Sequence, residues 1–288
     1  MRSNTAAGVR YPGRDTGRDT GRKMGFRITG KIIAYLVTAF VIFGPLSGLV
    51  IWSFAIKWYW PSLFPLEWGL AYWIKAFQGE LLRSFITGVN IALVVTASVV
   101  IMSVPLAYVL TRYRIPVKRI ILVLFLLPQA FPSLPIFANL LSLFYRWGVA
   151  GNVSGVILIH IGAAFIYSIW TMVSVFQSIP PVLEDAAATL GAHRVRIFFD
   201  VALPLAAPGI FVSSLLVFLY SLDEFTGTLI IGSPFVKTLP VQMYLASMGY
   251  EMQIASVTSL IITVPGIILL LFFERFMKAE YMASFGRI

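Results

Sequence analysis

Six long apolar runs restrict what this chain can fold into. They lie near Ile32 to Ile56, Phe85 to Leu110, Ile120 to Tyr145, Val153 to Phe176, Leu205 to Ile231 and Ile254 to Phe273. As a helix, a run of about 20 residues crosses a hydrocarbon core about 30 Å thick. Only 12% of the residues are charged, whereas soluble domains average about 25%. The sequence therefore predicts an all-α integral membrane protein with six transmembrane helices.

The basic residues indicate how the chain crosses the membrane. The net charge is +10, but most Lys and Arg residues lie in short segments between apolar runs and form no single patch, so we expect no nucleic-acid partner. Such residues accumulate on the cytoplasmic side of membrane proteins. With the amino terminus inside, both termini are cytoplasmic in this multi-pass chain. The outer segments then keep only Lys57, Lys75, Arg83, Arg146 and Lys237.

Residues 1–30 differ in composition from the rest of the chain. They contain a Gly-Arg-Asp-Thr unit written twice between Gly13 and Thr20, and nothing that could bury a core. This composition predicts a disordered basic cytoplasmic tail. A cleaved signal peptide has an apolar core of only about 7–15 residues, which is much shorter than the first apolar run. Residues 31–288 are therefore assigned to the six-span membrane domain.

The chain contains no cysteine and only two histidines, His160 and His193. Thiolate chemistry is therefore excluded, and no metal site is expected. An enzyme within the membrane would need a nucleophile and a base, or a metal cluster, and His160 has no evident partner in the sequence. We expect His160 to pack or to form an interhelical hydrogen bond, and we predict no catalytic residue.

Three prolines interrupt the third apolar run, at Pro128, Pro132 and Pro135. A proline inside a helix frees a carbonyl group and kinks the helix. Lipid tolerates such a kink only where protein or a water-filled cavity satisfies the freed group. The prolines therefore predict a span that faces a translocation pathway, with simple interhelical packing as the alternative.

A polar loop between the fourth and fifth runs, about residues 178–204, has the signals of a short cytoplasmic helix. Ser178 suits a cap, two prolines follow it, and Glu184 and Asp185 place negative charge near the amino-terminal end. Gly191 suits the end of the helix. Because Ala186 and Ala187 are small, another protein could approach the backbone closely, which is typical of a docking element.

A second short helix is expected after Gly191. It begins at Arg194 and Arg196, and Pro204 is expected to end it, because proline cannot donate the next backbone hydrogen bond.

The loop resembles that of the binding-protein-dependent ABC importer permeases. The likeness rests on Asp185-Ala186-Ala187, Gly191 and the run from Val201 to Leu203-Pro204, all at the spacing of that family. Asp185 stands where the family usually has Glu, and Val201 where it usually has Ile. Segments Tyr108 to Arg119 and Leu127 to Pro135 are also similar to the family, so the likeness covers roughly residues 85–275.

This resemblance implies a permease subunit of the bacterial inner membrane, without enzymatic activity of its own. Its partners would be a second permease subunit, two copies of a cytoplasmic ATP-binding subunit and an extracytoplasmic substrate-binding protein. ATP and Mg²⁺ would bind to the partner ATPase, because this sequence contains no G-x-x-x-x-G-K-[ST] motif. The loop would carry a coupling helix, with its ATPase-coupling residues at Glu184, Asp185, Ala186, Ala187, Gly191, Arg194, Leu203 and Pro204.

The fifth run contains a candidate substrate pathway around an adjacent acidic pair. Each carboxylate would cost about 2.5–3.5 kcal/mol near the membrane centre, so such residues rarely face lipid. One interpretation is a cation-binding position, and the other is a structural carboxylate bonded to a neighbouring span. The segment resembles spermidine/putrescine-type permeases, which implies a polyamine or related cationic compound. The candidate residues are Tyr220, Ser221, Asp223, Glu224 and Phe225.

A secondary transporter or channel that works without an ATPase is the alternative function. It would place ionisable residues in several spans, whereas the clear case in this chain is the Asp223–Glu224 pair.

Overall fold

The structure is a computed structural model that describes residues 16–59 and 61–285. It describes side chains for residues 31–59 and 61–272. The described residues are mostly helical, and among them β1 (Ala55–Lys57) and β2 (Glu67–Trp68) form one two-stranded antiparallel sheet. The helices are α1 (Thr16–Phe54), α2 (Ala71–Ala76), α3 (Gly79–Arg112), α4 (Lys118–Leu126), α5 (Ser133–Arg146), α6 (Val153–Ser178), α7 (Val182–Thr189), α8 (Arg194–Ile197), α9 (Leu203–Asp223), α10 (Leu239–Met248) and α11 (Met252–Phe285).

Within this described part of the chain, five continuous helical segments are long and apolar enough to cross a bilayer, and a bent pair of helices makes a sixth candidate. This agrees with the prediction of an α-helical membrane protein. The five segments are Lys31–Phe54, Gly79–Arg112, Val153–Ser178, Arg194–Asp223 and Met252–Phe272.

The predicted third span is a broken one. Lys118–Ala130 and Ser133–Arg146 meet at an angle of 99°, so this segment is not a single straight rod. A 3₁₀ turn over Leu127–Ala130 contains Pro128, and Pro132 lies in the break with an extended ψ of 132°. The corner follows from the fixed φ and missing N–H of proline, which together disfavour an uninterrupted helix.

The predicted fifth span is also interrupted. Helix α9 ends at Asp223, Glu224 has an extended backbone with ψ 117°, and a π-helical turn follows over Thr228–Gly232. The apolar run predicted from Leu205 to Ile231 is therefore not one helix. Hydrophobicity alone does not reveal this break, because Phe225 and the run from Leu229 to Ile231 are again apolar.

The first helix begins earlier than the sequence analysis predicts. The structure describes residues 16–30 as the first turns of α1, where the sequence favours a disordered tail. Adding residues to an existing helix avoids the cost of nucleation, so polar residues can extend an apolar span. Residues 1–15 lie outside the described residues, and for them disorder stays a prediction. The chain divides into two compact units on either side of the Leu49–Val50 bond.

The core of this second unit forms where α3 packs against α6 and α9. Ile91, Val95 and Val99 follow each other at a spacing of four residues and place a buried stripe on α3, which packs against Val156 of α6 and Val217 of α9. This stripe fixes the relative positions of the three helices.

A chain of serine hydroxyls crosses the same three helices. Ser103 Oγ lies 2.6 Å from Ser168 Oγ, which in turn lies 2.7 Å from Ser213 Oγ. Small hydroxyl residues allow membrane helices to approach closely and hydrogen-bond to one another. Helices α3, α6 and α9 are therefore held together by polar as well as apolar contacts.

Close packing around α6 gives a direct test of this arrangement. A Cβ added at Gly155 would overlap the carbonyl oxygen of Val149 and would lie 3.1 Å from Ile231 Cγ2, whereas a Cβ at Gly162 on the same helix meets nothing within 4 Å. Gly155→Ala is expected to cost about 1–3 kcal/mol through overpacking and to lower the thermal unfolding midpoint in detergent.

The matched control is Gly162→Ala, which is expected to leave the unfolding midpoint unchanged or slightly raised, because Ala favours helix over Gly. Equal midpoints for the two variants would contradict the described packing at Gly155.

Candidate functional site

The loop of residues 178–204, here named the α7 loop, begins with a turn set by two prolines. The N–H groups of Glu184 and Asp185 donate to the carbonyl oxygen of Pro181 at 2.9 and 3.0 Å. Ser178 does not cap α7 as predicted, because its hydroxyl donates to the carbonyl oxygen of Val175 in the last turn of α6. Pro181 occupies the N-cap position instead.

Helix α7 ends at Thr189, and Gly191 stops it two residues later, as the sequence predicts. Gly191 has a φ of +88°, a conformation that costs other L-residues roughly 1–2 kcal/mol. Its N–H donates to the carbonyl oxygen of Ala188 at 3.0 Å, and the N–H of Ala192 donates to that of Ala187 at 3.1 Å. This pair of bonds is a Schellman motif, which satisfies the last carbonyl groups of the helix.

The second half of the α7 loop differs from the prediction. Pro204 does not end a short helix, since helical backbone continues from Arg194 to Asp223. A π-helical turn over Phe198–Ala202 joins α8 to α9, and Pro204 stands in the first turn of α9. Proline is tolerated there because its missing N–H would have had no partner in the new α-helical segment.

A buried ion pair attaches α7 to the end of α3. Arg112 Nε donates to Glu184 Oε1 at 2.7 Å, and the side chains are only 12% and 10% exposed. Tyr108 donates its hydroxyl to Glu184 Oε2 at 2.8 Å, and an Arg112 Nη donates to the carbonyl oxygen of Ile179 at 2.9 Å. Tyr108 is itself packed against Phe198. We name Tyr108, Arg112 and Glu184 the α7 anchor.

Sequence reasoning identified Glu184 but missed Tyr108 and Arg112 as its partners. Both lie in the segment from Tyr108 to Arg119 that resembles the importer permeases, and that resemblance was the only signal that pointed to them.

The α7 loop exposes several large apolar side chains, and exposed apolar patches often mark the site where another molecule binds. Asp185 and Ala186 are exposed as well, and Arg194 lies over the ring of Tyr113 at 5.5 Å. The exposed large apolar side chains are Val182, Leu183, Leu190, Val195 and Phe199. A surface of this kind fits a partner protein.

A buried polar cluster connects α6 to the break in the fifth span. His160 Nδ1 lies 2.9 Å from Ser221 Oγ, and His160 Nε2 lies 2.8 Å from Thr228 Oγ1 and 3.2 Å from Glu224 Oε2. The N–H groups of Gly227 and Thr228 also donate to the Glu224 carboxylate. His160 thus forms the expected interhelical hydrogen bonds, and we name His160, Ser221, Glu224 and Thr228 the His160 cluster.

A cavity of about 450 Å³ opens beside this cluster, at the corner of the broken third span. Of the five predicted pathway residues, Tyr220 lines this cavity. Ser221 and Glu224 are buried in the His160 cluster, and the ring of Phe225 contacts that of Tyr244 at 4.8 Å. Asp223 is exposed and lies outside the lining of Pro128, Gln129, Phe131, Ser133, Ile136, Phe137, Leu140, Ile159, Gly162, Ala163, Ile166, Tyr167 and Tyr220.

Residues 100–279 match the family model described as binding-protein-dependent transport system inner membrane component. The chain is 31% identical to the sulfoquinovosyl glycerol transport system permease protein SmoH of Agrobacterium fabrum, over 74% of this chain and 76% of SmoH. It is 31% identical to the trehalose transport system permease protein SugB of Mycobacterium tuberculosis, over 69% of this chain and 75% of SugB.

Among solved structures, the fold matches a bacterial ABC transporter involved in the import of the acidic polysaccharide alginate. The TM-score is 0.67 at 21% identity, and the match covers 93% of this chain and 99% of that chain. The predicted likeness to spermidine/putrescine-type permeases is not supported, because the names of these relatives refer to sugar compounds.

The α7 anchor predicts how the loop responds to mutation. Glu184→Ala would leave Arg112 buried without its partner, and breaking a buried ion pair typically costs about 3–5 kcal/mol. Hydrogen–deuterium exchange of the purified protein should therefore become much faster in the backbone amides of α7.

The control is Arg196→Ala, which removes an exposed pair with Asp200 whose side chains are 69% and 59% exposed. Such pairs contribute about 0–1 kcal/mol, so exchange in α7 should stay close to wild type. Similar exchange in the two variants would show that Glu184 does not hold the helix.

The His160 cluster predicts an energetic interaction between His160 and Glu224, which are far apart in the sequence but in contact in the fold. His160→Ala and Glu224→Ala remove groups that contact one another, so their effects on thermal stability in detergent should not be additive. A double-mutant cycle is expected to give an interaction free energy of about 0.5–3 kcal/mol. Strict additivity would mean that His160 and Glu224 do not interact.

Proposed function

We propose, because this chain belongs to the family of binding-protein-dependent transport system inner membrane components, that it is a permease subunit of an ABC importer that takes up a carbohydrate. The family is one of transport components. The exposed, apolar α7 loop, anchored to α3 by Glu184, is the observation that supports ATP-driven coupling. A transporter or channel without an ATPase is not favoured, because the family depends on a binding protein.

The importer that we propose contains this chain, a second permease, two copies of a cytoplasmic ATP-binding subunit and an extracytoplasmic binding protein. The permease pair encloses the pathway, and ATP and Mg²⁺ bind to the ATPase. The α7 loop lies on the cytoplasmic side together with both termini, in agreement with the excess of Lys and Arg in the segments on that side.

In this mechanism α7 is the coupling helix and occupies a cleft on the ATPase. Ala186 and Ala187 allow close approach, and exposed Asp185 pairs with a basic group of the partner. Closure of the two ATPase subunits moves α7, and the ion pair between Glu184 and Arg112 passes that movement to α3. Because α3, α6 and α9 are packed together, the spans respond as a rigid body and alternate between inward-facing and outward-facing states.

A carbohydrate replaces the polyamine as the proposed substrate. The names of SmoH and SugB refer to a sulfoquinovosyl glycerol and to trehalose. The acidic pair also gives little support to a cation site in the described cavity, because Glu224 is already bonded to the Gly227 and Thr228 N–H groups beside His160. A carboxylate with these partners has little remaining capacity for an amine.

Two substitutions test the coupling role. Asp185→Arg reverses the charge on the docking face, and Gly191→Val forces a β-branched residue into a positive φ. Each is expected to abolish substrate-stimulated ATP hydrolysis by the complete importer in proteoliposomes, while insertion into the membrane is retained.

Gly148→Val is the matched control. Gly148 also has a positive φ, of +71°, and open space around its Cβ position. It lies between α5 and α6, at the end of α6 opposite to the α7 loop. It carries the same local backbone cost and should hydrolyse ATP normally. If Asp185→Arg and Gly191→Val hydrolyse ATP as well as Gly148→Val, the α7 loop does not couple.

A further inference from the structure

We infer that the cavity at the corner between the two halves of the third span binds an uncharged oligosaccharide, through the rings of Tyr167 and Tyr220 and the amide of Gln129. This inference rests on the proposed function and narrows its substrate to one chemical class. The argument depends on the size of the cavity, its aromatic and amide groups, and the charge of its lining.

The cavity has the size and position of a ligand site. Its volume of about 450 Å³ lies within the range of about 300–1,000 Å³ that is usual for small-molecule pockets. One wall comes from the 3₁₀ turn that contains Pro128 and Gln129, and the opposite wall comes from α6 and α9. The 99° bend of the third span therefore creates space that a straight helix would fill.

Two tyrosine rings form an aromatic surface on that opposite wall. The ring centroids of Tyr167 and Tyr220 lie 4.8 Å apart with an interplanar angle of 39°, although the residues belong to different helices. A tyrosine ring offers an apolar face to the C–H groups of a sugar, and its hydroxyl offers a hydrogen bond to the sugar oxygens. The two tyrosines therefore match an oligosaccharide, in which every sugar ring carries both C–H groups and oxygens.

Gln129 provides a polar group across the cavity. Its Oε1 accepts a long hydrogen bond of 3.4 Å from the Tyr167 hydroxyl, and its amide can both donate and accept. A sugar hydroxyl can also donate and accept, so it can replace or bridge this contact. The tyrosine and glutamine side chains thus supply mixed hydrogen bonding without a fixed charge.

The charge of the lining selects against ionic substrates. Among the described residues, all those that line the cavity are uncharged. A polyamine or an anionic sugar would leave water without gaining an opposite charge, which is strongly unfavourable. An uncharged sugar loses no ionic hydration, so it is the class that this cavity favours.

The test measures sugar uptake and ATP hydrolysis together, in proteoliposomes that contain the complete importer and its binding protein. The uncharged probes are trehalose, maltose, cellobiose and lactose, and the charged probes are digalacturonate and spermidine. Wild-type protein should take up at least one uncharged disaccharide and neither charged probe. Tyr167→Ala, Tyr220→Ala and Gln129→Ala should each reduce that uptake about tenfold and leave binding-protein-stimulated ATP hydrolysis within about twofold of wild type.

Tyr145→Ala is the matched control, because Tyr145 is a tyrosine of α5 that is 65% exposed and does not line the cavity. It should transport like wild type. If wild-type protein takes up an uncharged disaccharide and the three cavity variants match Tyr145→Ala, the site is wrong while the proposed function stands. Uptake of digalacturonate alone would overturn the inference that the cavity binds an uncharged sugar, while the proposed function as a carbohydrate importer would stand. If wild-type protein transports none of the sugars, both the carbohydrate function and this inference fail.

Discussion

The ion pair between Arg112 and Glu184 connects the end of a membrane helix to an exposed helix 72 residues further along the chain. Both groups are largely buried, and Tyr108 and the Ile179 carbonyl group complete the hydrogen bonding around them. A helix as short as α7 is not stable alone in water, so this contact holds it in a defined position. Because α3 also packs against α6 and α9, the ion pair connects α7 to the core.

The membrane imposes the second constraint, since it tolerates irregular backbone only where protein or a polar cavity satisfies it. Two spans are broken, and the chain meets this requirement at each break in a different way. Around Glu224 the free N–H groups of Gly227 and Thr228 donate to the carboxylate, next to buried His160. At the corner of the third span the break lines an open cavity. One break therefore holds a rigid polar cluster, and the other provides space for a ligand.

The local features could be predicted from sequence and the long-range contacts could not. Apolar length located the spans, and proline and glycine located the start and end of α7, because these signals act within a few residues. The sequence does not show that Pro204 lies within a continuing helix, because the π-helical turn that joins α8 to α9 just before it has no local signature. The pairing of His160 with Glu224, and of Arg112 with Glu184, depends on how helices pack, and no local pattern records it. The polyamine likeness is unsupported because the relatives' names refer to sugar compounds, and the acidic pair in the sequence gives no sign that Glu224 is already bonded.

The most direct test of the account is to identify what touches the exposed end of α7 in the assembled importer. A photo-reactive amino acid can replace Leu190, which is 89% exposed, or Phe235, which is 83% exposed and lies at the opposite end of the spans. After irradiation of intact cells, mass spectrometry identifies the protein joined to each position. The account predicts an adduct with the ATP-binding subunit from position 190 and none from position 235. The absence of an ATPase adduct at position 190, or an equal yield at position 235, would contradict the coupling role of α7.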